Sequence, residues 1–77
     1  MKNYRYAVCS GSRAAYHAST IKELVNLAKS HYAYSKVYLC TATREIELYV
    51  RPEGFYNYDC KRISIKYISQ FLNAAED

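Results

Sequence analysis

Seventy-seven residues carrying a net charge of +4 make one domain, residues 1–77, too small to bury more than about 60% of its unfolded surface. A domain of this size has little room for a deep substrate cavity, which argues against a stand-alone enzyme. Its apolar runs fall well short of the ~20 residues that span a bilayer, so no membrane segment is expected.

The aromatic content is almost wholly tyrosine, ten residues against two phenylalanines and no tryptophan. A tyrosine ring is apolar and its tip polar, which suits it to core rims and interfaces. Charge is uneven along the chain. Residues 1–40 hold six bases and one acid, a net +5, whereas residues 41–77 hold five bases and six acids, a net −1. A basic face meeting a polyanion or an acidic protein is one reading of that asymmetry. The three cysteines are odd in number and widely spaced, unlike a disulfide framework. Met1-Lys2-Asn3-Tyr4 leads into a strand-like segment without the apolar region of a signal peptide. A reducing, cytoplasmic setting is expected.

In chain order, residues 3–9 alternate, with Tyr4, Tyr6 and Val8 on one side and Arg5, Ala7 and Cys9 on the other. This is a strand pattern. Ser10-Gly11-Ser12 supplies a turn, and residues 13–18 read equally as a returning strand or as a lead into a helix. A helix follows over about 20–32. Thr20 and Glu23 have capping-box spacing, with Ser19 a rival cap. Ile21, Leu24, Val25, Ala28 and Tyr32 form its apolar stripe. Lys36 to Thr41 is rich in strand formers, and Ala42-Thr43-Arg44 turns the chain. Glu45 to Arg51 alternates with Ile46, Leu48 and Val50 inward and Glu45, Glu47, Tyr49 and Arg51 outward. Pro52-Glu53-Gly54 ends that strand, and Phe55 to Asp59 is a short strand or an ordered loop. The last segment is read as a helix over about 64–75, capped by Ser64, with Ile65, Ile68, Leu72 and Ala75 at helical spacing; a strand through Ile63, Ile65 and Tyr67 is its rival.

These elements predict an α+β fold: a small two-layer sandwich with an antiparallel sheet of three to five strands and both helices on one face. Val8, Val37, Leu39, Ile46, Leu48 and Val50 are expected to meet Leu24, Val25, Ala28, Ile65, Ile68 and Leu72.

No catalytic, metal or cofactor site is expected. Cys9, Cys40 and Cys60 lack the close pairing of zinc ligands; Cys9 and Cys40 fit better as small buried apolar groups on strands. Nothing marks a nucleophile beside His17 or His31, and His31 at a helix end suits the helix dipole. Ser10-Gly11-Ser12 lacks the length and following GK[ST] of a phosphate loop.

The sheet face turned away from the helices is the candidate site. Arg5, Tyr38, Glu47, Tyr49 and Arg51 are expected on it, and the loop Tyr56-Asn57-Tyr58-Asp59 combines rigid rings with adaptable amides. The candidate partner-binding residues are Arg5, Tyr38, Tyr49, Arg51, Tyr56 and Tyr58. Tyrosine and arginine are enriched at interface hot spots, and aromatic sheet faces also stack unpaired bases. The RNA-recognition fold uses such a face; Gly54-Phe55-Tyr56-Asn57-Tyr58 lacks the small residue between aromatics of its signature, and the element order ends in a helix.

The functional expectation is a non-enzymatic binding module that covers a site on a protein or nucleoprotein partner. In size, tyrosine richness and lack of motifs the chain resembles small accessory proteins of phages and mobile elements, including anti-CRISPR and anti-restriction inhibitors. That resemblance implies inhibition of host defence. The alternative is a regulator that binds nucleic acid directly. Homodimerisation through exposed aromatics or a strand edge is a further option.

Overall fold

The computed structural model describes residues 4–11 and 15–74. Its elements are β1 (Tyr6–Cys9), β2 (Tyr16–Ala18), α1 (Ile21–His31), β3 (Lys36–Cys40), β4 (Glu45–Arg51), β5 (Gly54–Tyr56), β6 (Arg62–Ile63) and α2 (Ile65–Leu72). The six strands form one antiparallel sheet in the order β2-β1-β3-β4-β5-β6. The two-layer α+β architecture is therefore as expected, but the sheet has six strands rather than three to five. Both segments read as possible strands form, as β2 and β5, and the strand beyond the expected set is β6. β2 exists because β1 offers it a template, through Tyr6↔Ala18 and Val8↔Tyr16. β6 pairs only Phe55↔Ile63 and Tyr56↔Arg62.

Both helices cover one face. Val8, Val37, Leu39, Leu48, Val50 and Phe55 face them from the sheet, and Leu24, Val25, Ala28, Ile68 and Leu72 answer from the helices. The register explains the segregation. Val8↔Leu39, Val37↔Leu48 and Val50↔Phe55 are direct cross-strand neighbours, and neighbours share a face. Ile46 and Ile63 extend the same row, partly buried at its margins.

Both helices are shorter than expected. The threonine cap of α1 holds: Thr20 Oγ1 accepts from the Glu23 N–H at 3.1 Å. The Glu23 carboxylate closes the box one residue earlier than usual, accepting from the Ser19 N–H (3.0 Å) and Ser19 hydroxyl (2.8 Å). α1 ends at His31 because Tyr32, its C-cap, leaves helical geometry, and Tyr34 then adopts a left-handed conformation (φ 61°) that turns the chain toward β3. α2 starts after its Ser64 cap, whose hydroxyl accepts from the Tyr67 N–H at 3.0 Å. It ends at Leu72, capped by Asn73; Ala75, expected on its stripe, lies outside the described residues.

One expectation about the core is corrected. Ile65 is 46% exposed, because α2 is anchored only from Ile68 onward. Tyr4 precedes β1 and is exposed, so from that side of the segment Tyr6 and Val8 enter the core. Of the two alternatives for the segment that starts at Phe55, the strand forms over Gly54–Tyr56, and Phe55 is a buried core residue. The Tyr6 ring is buried, and its hydroxyl donates to Asn73 Oδ1 at 2.8 Å, which ties β1 to the end of α2.

Candidate functional site

The face away from the helices is uncovered. Along β4 it carries Glu45, Glu47, Tyr49 and Arg51, with Tyr38 and Lys36 beside them on β3 and Tyr56 and Arg62 on β5 and β6. One row of direct neighbours, Lys36–Tyr49–Tyr56–Arg62, crosses four strands. It places two tyrosine rings side by side between two cations. The next row runs Cys9–Tyr38–Glu47.

Beside the β4–β5 end of this face lies a cleft of about 470 Å³, lined by Tyr49, Arg51, Glu53, Tyr56, Asn57, Tyr58 and Cys60. Backbone geometry builds its walls. The β5–β6 connection, residues 57–61, is pinned by Asn57, whose Oδ1 accepts from the N–H groups of Asp59 and Lys61, both at 2.9 Å. The Asn57 backbone adds N–H to Lys61 O (2.9 Å) and accepts from the Cys60 N–H (3.0 Å). Cys60 is held at φ 63° in this turn. Tyr58, 81% exposed, therefore projects from an ordered turn. On the facing side, Gly54 has φ 149°, and a Cβ there would meet Arg62 Nε at 3.0 Å. Glycine makes room for the Arg62 guanidinium, which donates Nη2 to the Glu53 carbonyl at 2.7 Å. The Glu53 carboxylate accepts from the Tyr56 hydroxyl at 3.3 Å.

Of the six sequence-derived candidates, Tyr49, Arg51, Tyr56 and Tyr58 meet at this one cleft. Tyr38 shares the open face one row away. Arg5 does not join them. Its guanidinium lies 5.6 Å from the Tyr6 ring centre and donates to Asn73 Oδ1 at 3.2 Å, so it is drawn round the sheet margin to the end of α2. Glu53 and Cys60 also line the cleft and were missed, and Tyr34 and Arg62 flank it through Arg51 and Glu53. The Tyr34 N–H donates to Val50 O at 3.0 Å, which brings its ring within 5.9 Å of Arg51 Cζ. Its role depends on a left-handed backbone that no local pattern announces.

Ring partners separate the tyrosines. Tyr6, Tyr34 and Tyr38 each face a cation of the chain, from Arg5, Arg51 and Lys36 respectively. Tyr4 lies against His17, Tyr16 stacks on His31 at 4.1 Å and meets Tyr32 edge-on, and Tyr67 stacks on Phe71. Among the described residues, the tyrosines with neither a stacked ring nor a cation over them are Tyr49, Tyr56 and Tyr58. These are the three that line the cleft.

The face is electrically balanced. Lys36, Arg51 and Arg62 are matched by Glu45, Glu47 and Glu53, and Lys36 Nζ lies 3.9 Å from Glu47. Tyr38, then Glu47, raise the Lys36 pKa above the usual lysine value. Among the described residues, the bases of the N-terminal half are scattered: Lys22 and Lys29 on α1, Arg5 beside the end of α2, Lys36 on the open face. Cys9 and Cys40 are half-buried on the open face rather than in the core. Burial first, then the neighbouring Cys9 thiol and Glu45, pushes Cys40 up to about 11. No group of three or more histidine, cysteine or acidic residues able to hold a metal ion occurs among the described residues. No helix among them is long and apolar enough to cross a membrane.

No family model, curated protein or solved structure matches the chain.

Proposed function

We propose that this chain is a non-catalytic binding module whose site is the uncovered sheet face and the tyrosine cleft at its β5 end, and that its partner is a protein. The observation that carries this reading is the convergence of Tyr49, Arg51, Tyr56 and Tyr58 on one cleft of a charge-balanced face. Tyrosine and arginine supply large contact area at modest ordering cost, as at interface hot spots. A polyanion calls for a surplus of positive charge along its track, and on the open face Lys36, Arg51 and Arg62 are matched in number by Glu45, Glu47 and Glu53. A module of this size acts on a larger protein by covering it, which is the action expected of an accessory inhibitor.

The experiment pairs two measurements. A photo-crosslinking amino acid placed at Tyr58 is expected to join the chain to a discrete protein partner from its native host. The variant Tyr49→Ala with Arg51→Ala should lose that product, while Lys22→Ala on α1 should keep it. In parallel, labelled single- and double-stranded DNA and RNA are titrated and read by anisotropy, with no binding expected even at low salt. Tight oligonucleotide binding that weakens steeply with salt would overturn the protein reading in favour of direct nucleic-acid recognition.

A further inference from the structure

We propose that Cys9 and Cys40 are a redox pair that closes to a disulfide across β1 and β3 when the chain meets a hydroperoxide. This goes beyond the binding role and does not depend on it. Three observations support it.

The first is placement. β1 and β3 are adjacent, with Ala7↔Cys40 and Cys9↔Tyr38 in register, so the two cysteines are diagonal neighbours on the open face. A disulfide needs Cβ atoms about 3.5–4.5 Å apart. Strand twist shortens one diagonal of each such set, and the hydrogen bond between the two thiols marks Cys9–Cys40 as the near one. The direct neighbours leave room for the bond. Ala7, across from Cys40, offers only a methyl group, and the ring of Tyr38, across from Cys9, is engaged by Lys36 on the side away from Cys40.

The second is a division of labour between the thiols. Burial first, then the Cys9 thiol and Glu45, pushes Cys40 up to about 11. The thiolate is the attacking form, so Cys40 is a poor first target at neutral pH and oxidation begins at Cys9. The Cys9 sulfur attacks the O–O bond of the hydroperoxide, becoming a sulfenic acid and releasing an alcohol or, from hydrogen peroxide, water. The Cys40 sulfur then displaces the hydroxyl group from the Cys9 sulfur. An S–S bond forms, an S–O bond breaks, and the Cys40 proton leaves with the hydroxyl as water. Two thiols are oxidised and one peroxide is reduced. Contact between the sulfurs offsets the scarcity of Cys40 thiolate, as proximity does for intramolecular steps in general.

The third is isolation with access. Both cysteines are half-buried, and Cys40 lines a cleft of about 460 Å³ beside Ala7, open to a small oxidant. Cys60, the remaining cysteine, is exposed on the β5–β6 connection, with β4 and β5 between it and the pair.

The test treats the reduced, folded whole chain with hydrogen peroxide at neutral pH and reads intact mass, peptide maps and thermal unfolding. A monomer lighter by the two thiol hydrogens should form, with a proteolytic peptide joining Cys9 to Cys40 that dithiothreitol separates. Its melting temperature should rise by on the order of 10 °C. Cys60→Ser should form the same bridge, whereas Cys9→Ser and Cys40→Ser should not. Dimers joined through Cys60 as the sole disulfide, or Cys9 carried on to sulfinic acid with Cys40 still free, would overturn the proposal; so would a bridge that forms only in urea. The peptide map is read on the unaltered chain, so the outcome holds whether or not a serine variant folds.

Discussion

Phe55 and Tyr56 are adjacent on β5 and point to opposite faces, so they test the whole division between scaffold and site. Phe55 is 1% exposed, packed under the helix layer with Lys29 Nζ 6.0 Å from its ring. Tyr56 lies on the open face, half-buried, beside Tyr49. Truncating a buried phenylalanine to alanine costs about 3–5 kcal/mol, from lost transfer energy plus the cavity left behind. A 77-residue domain has a total stability of roughly 4–11 kcal/mol. Phe55→Ala therefore removes about a quarter of it or more and leaves a marginal protein, so Phe55→Leu is the better reagent. At about 1–1.5 kcal/mol for a volume-near apolar exchange, and about 4–8 °C per kcal/mol for a domain this size, its melting temperature should fall by roughly 4–12 °C. Tyr56→Ala removes a partly solvated ring and one 3.3 Å hydrogen bond to Glu53, so it should cost less than about 1 kcal/mol. The assay is thermal unfolding by circular dichroism, with the Tyr58 crosslink as the readout of binding. Phe55→Leu should melt early and still crosslink, whereas Tyr56→Ala should melt normally and lose the crosslink. The reverse pattern would mean that β5 is slipped by one residue, which moves every side chain to the other face.

The helix layer makes a similar contrast. Leu24→Ala, at a position with no exposure, should cost about 2–5 kcal/mol in urea unfolding, whereas Ile65→Ser at the exposed start of α2 should shift the midpoint little; equal losses would return Ile65 to the core. The thiols should also separate by rate. At pH 8 an alkylating reagent should modify exposed Cys60 first and Cys40 slowly, because the Cys40 thiol ionises only near pH 11. The sign for stability follows. Above the ordinary thiol pKa of 9.0 the unfolded chain releases the Cys40 proton while the folded chain keeps it, so the contribution of this group is intact below that pH and is lost between about 9 and 11. Cys40→Ser should flatten that part of the pH–stability curve; an unchanged slope would refute the burial of this thiol.

Much of the framework was legible because its signals are local and repeated. Ile46, Leu48 and Val50 alternate over a strand long enough to fix parity, and that parity placed Tyr49 and Arg51 on the open face correctly. Thr20 and Glu23 marked the start of α1 by capping chemistry that needs no tertiary context. What was not legible depends on partners distant in sequence. Tyr16-His17-Ala18 buries only Ala18, too little for a strand pattern, and becomes one only against β1. Arg5 has the parity of the open face, but Asn73, at the far end of the chain, captures its guanidinium. Glu53 reads as part of a turn, and it reaches the cleft because Gly54 lets Arg62 lie across the β4–β5 hairpin.

The division of the two faces has an energetic reason. A sheet this small gains its stability from one covered face, and here nearly every fully buried side chain lies between that face and the helices. The second face is then under no demand to pack, and it can hold rings and charges arranged for something else. Rings that merely trimmed the core would be expected to settle on each other or on the chain's own cations, as Tyr4, Tyr6, Tyr16, Tyr32, Tyr34, Tyr38 and Tyr67 do. Leaving the rings of Tyr49, Tyr56 and Tyr58 without a cation or a stacked ring among the described residues forgoes roughly 0.5–1 kcal/mol per ring of available cation or stacking energy. Such a loss is retained where the same contacts are made by something else. It is this selective omission, more than the abundance of tyrosine, on which the binding role proposed for the β5 end of the sheet rests.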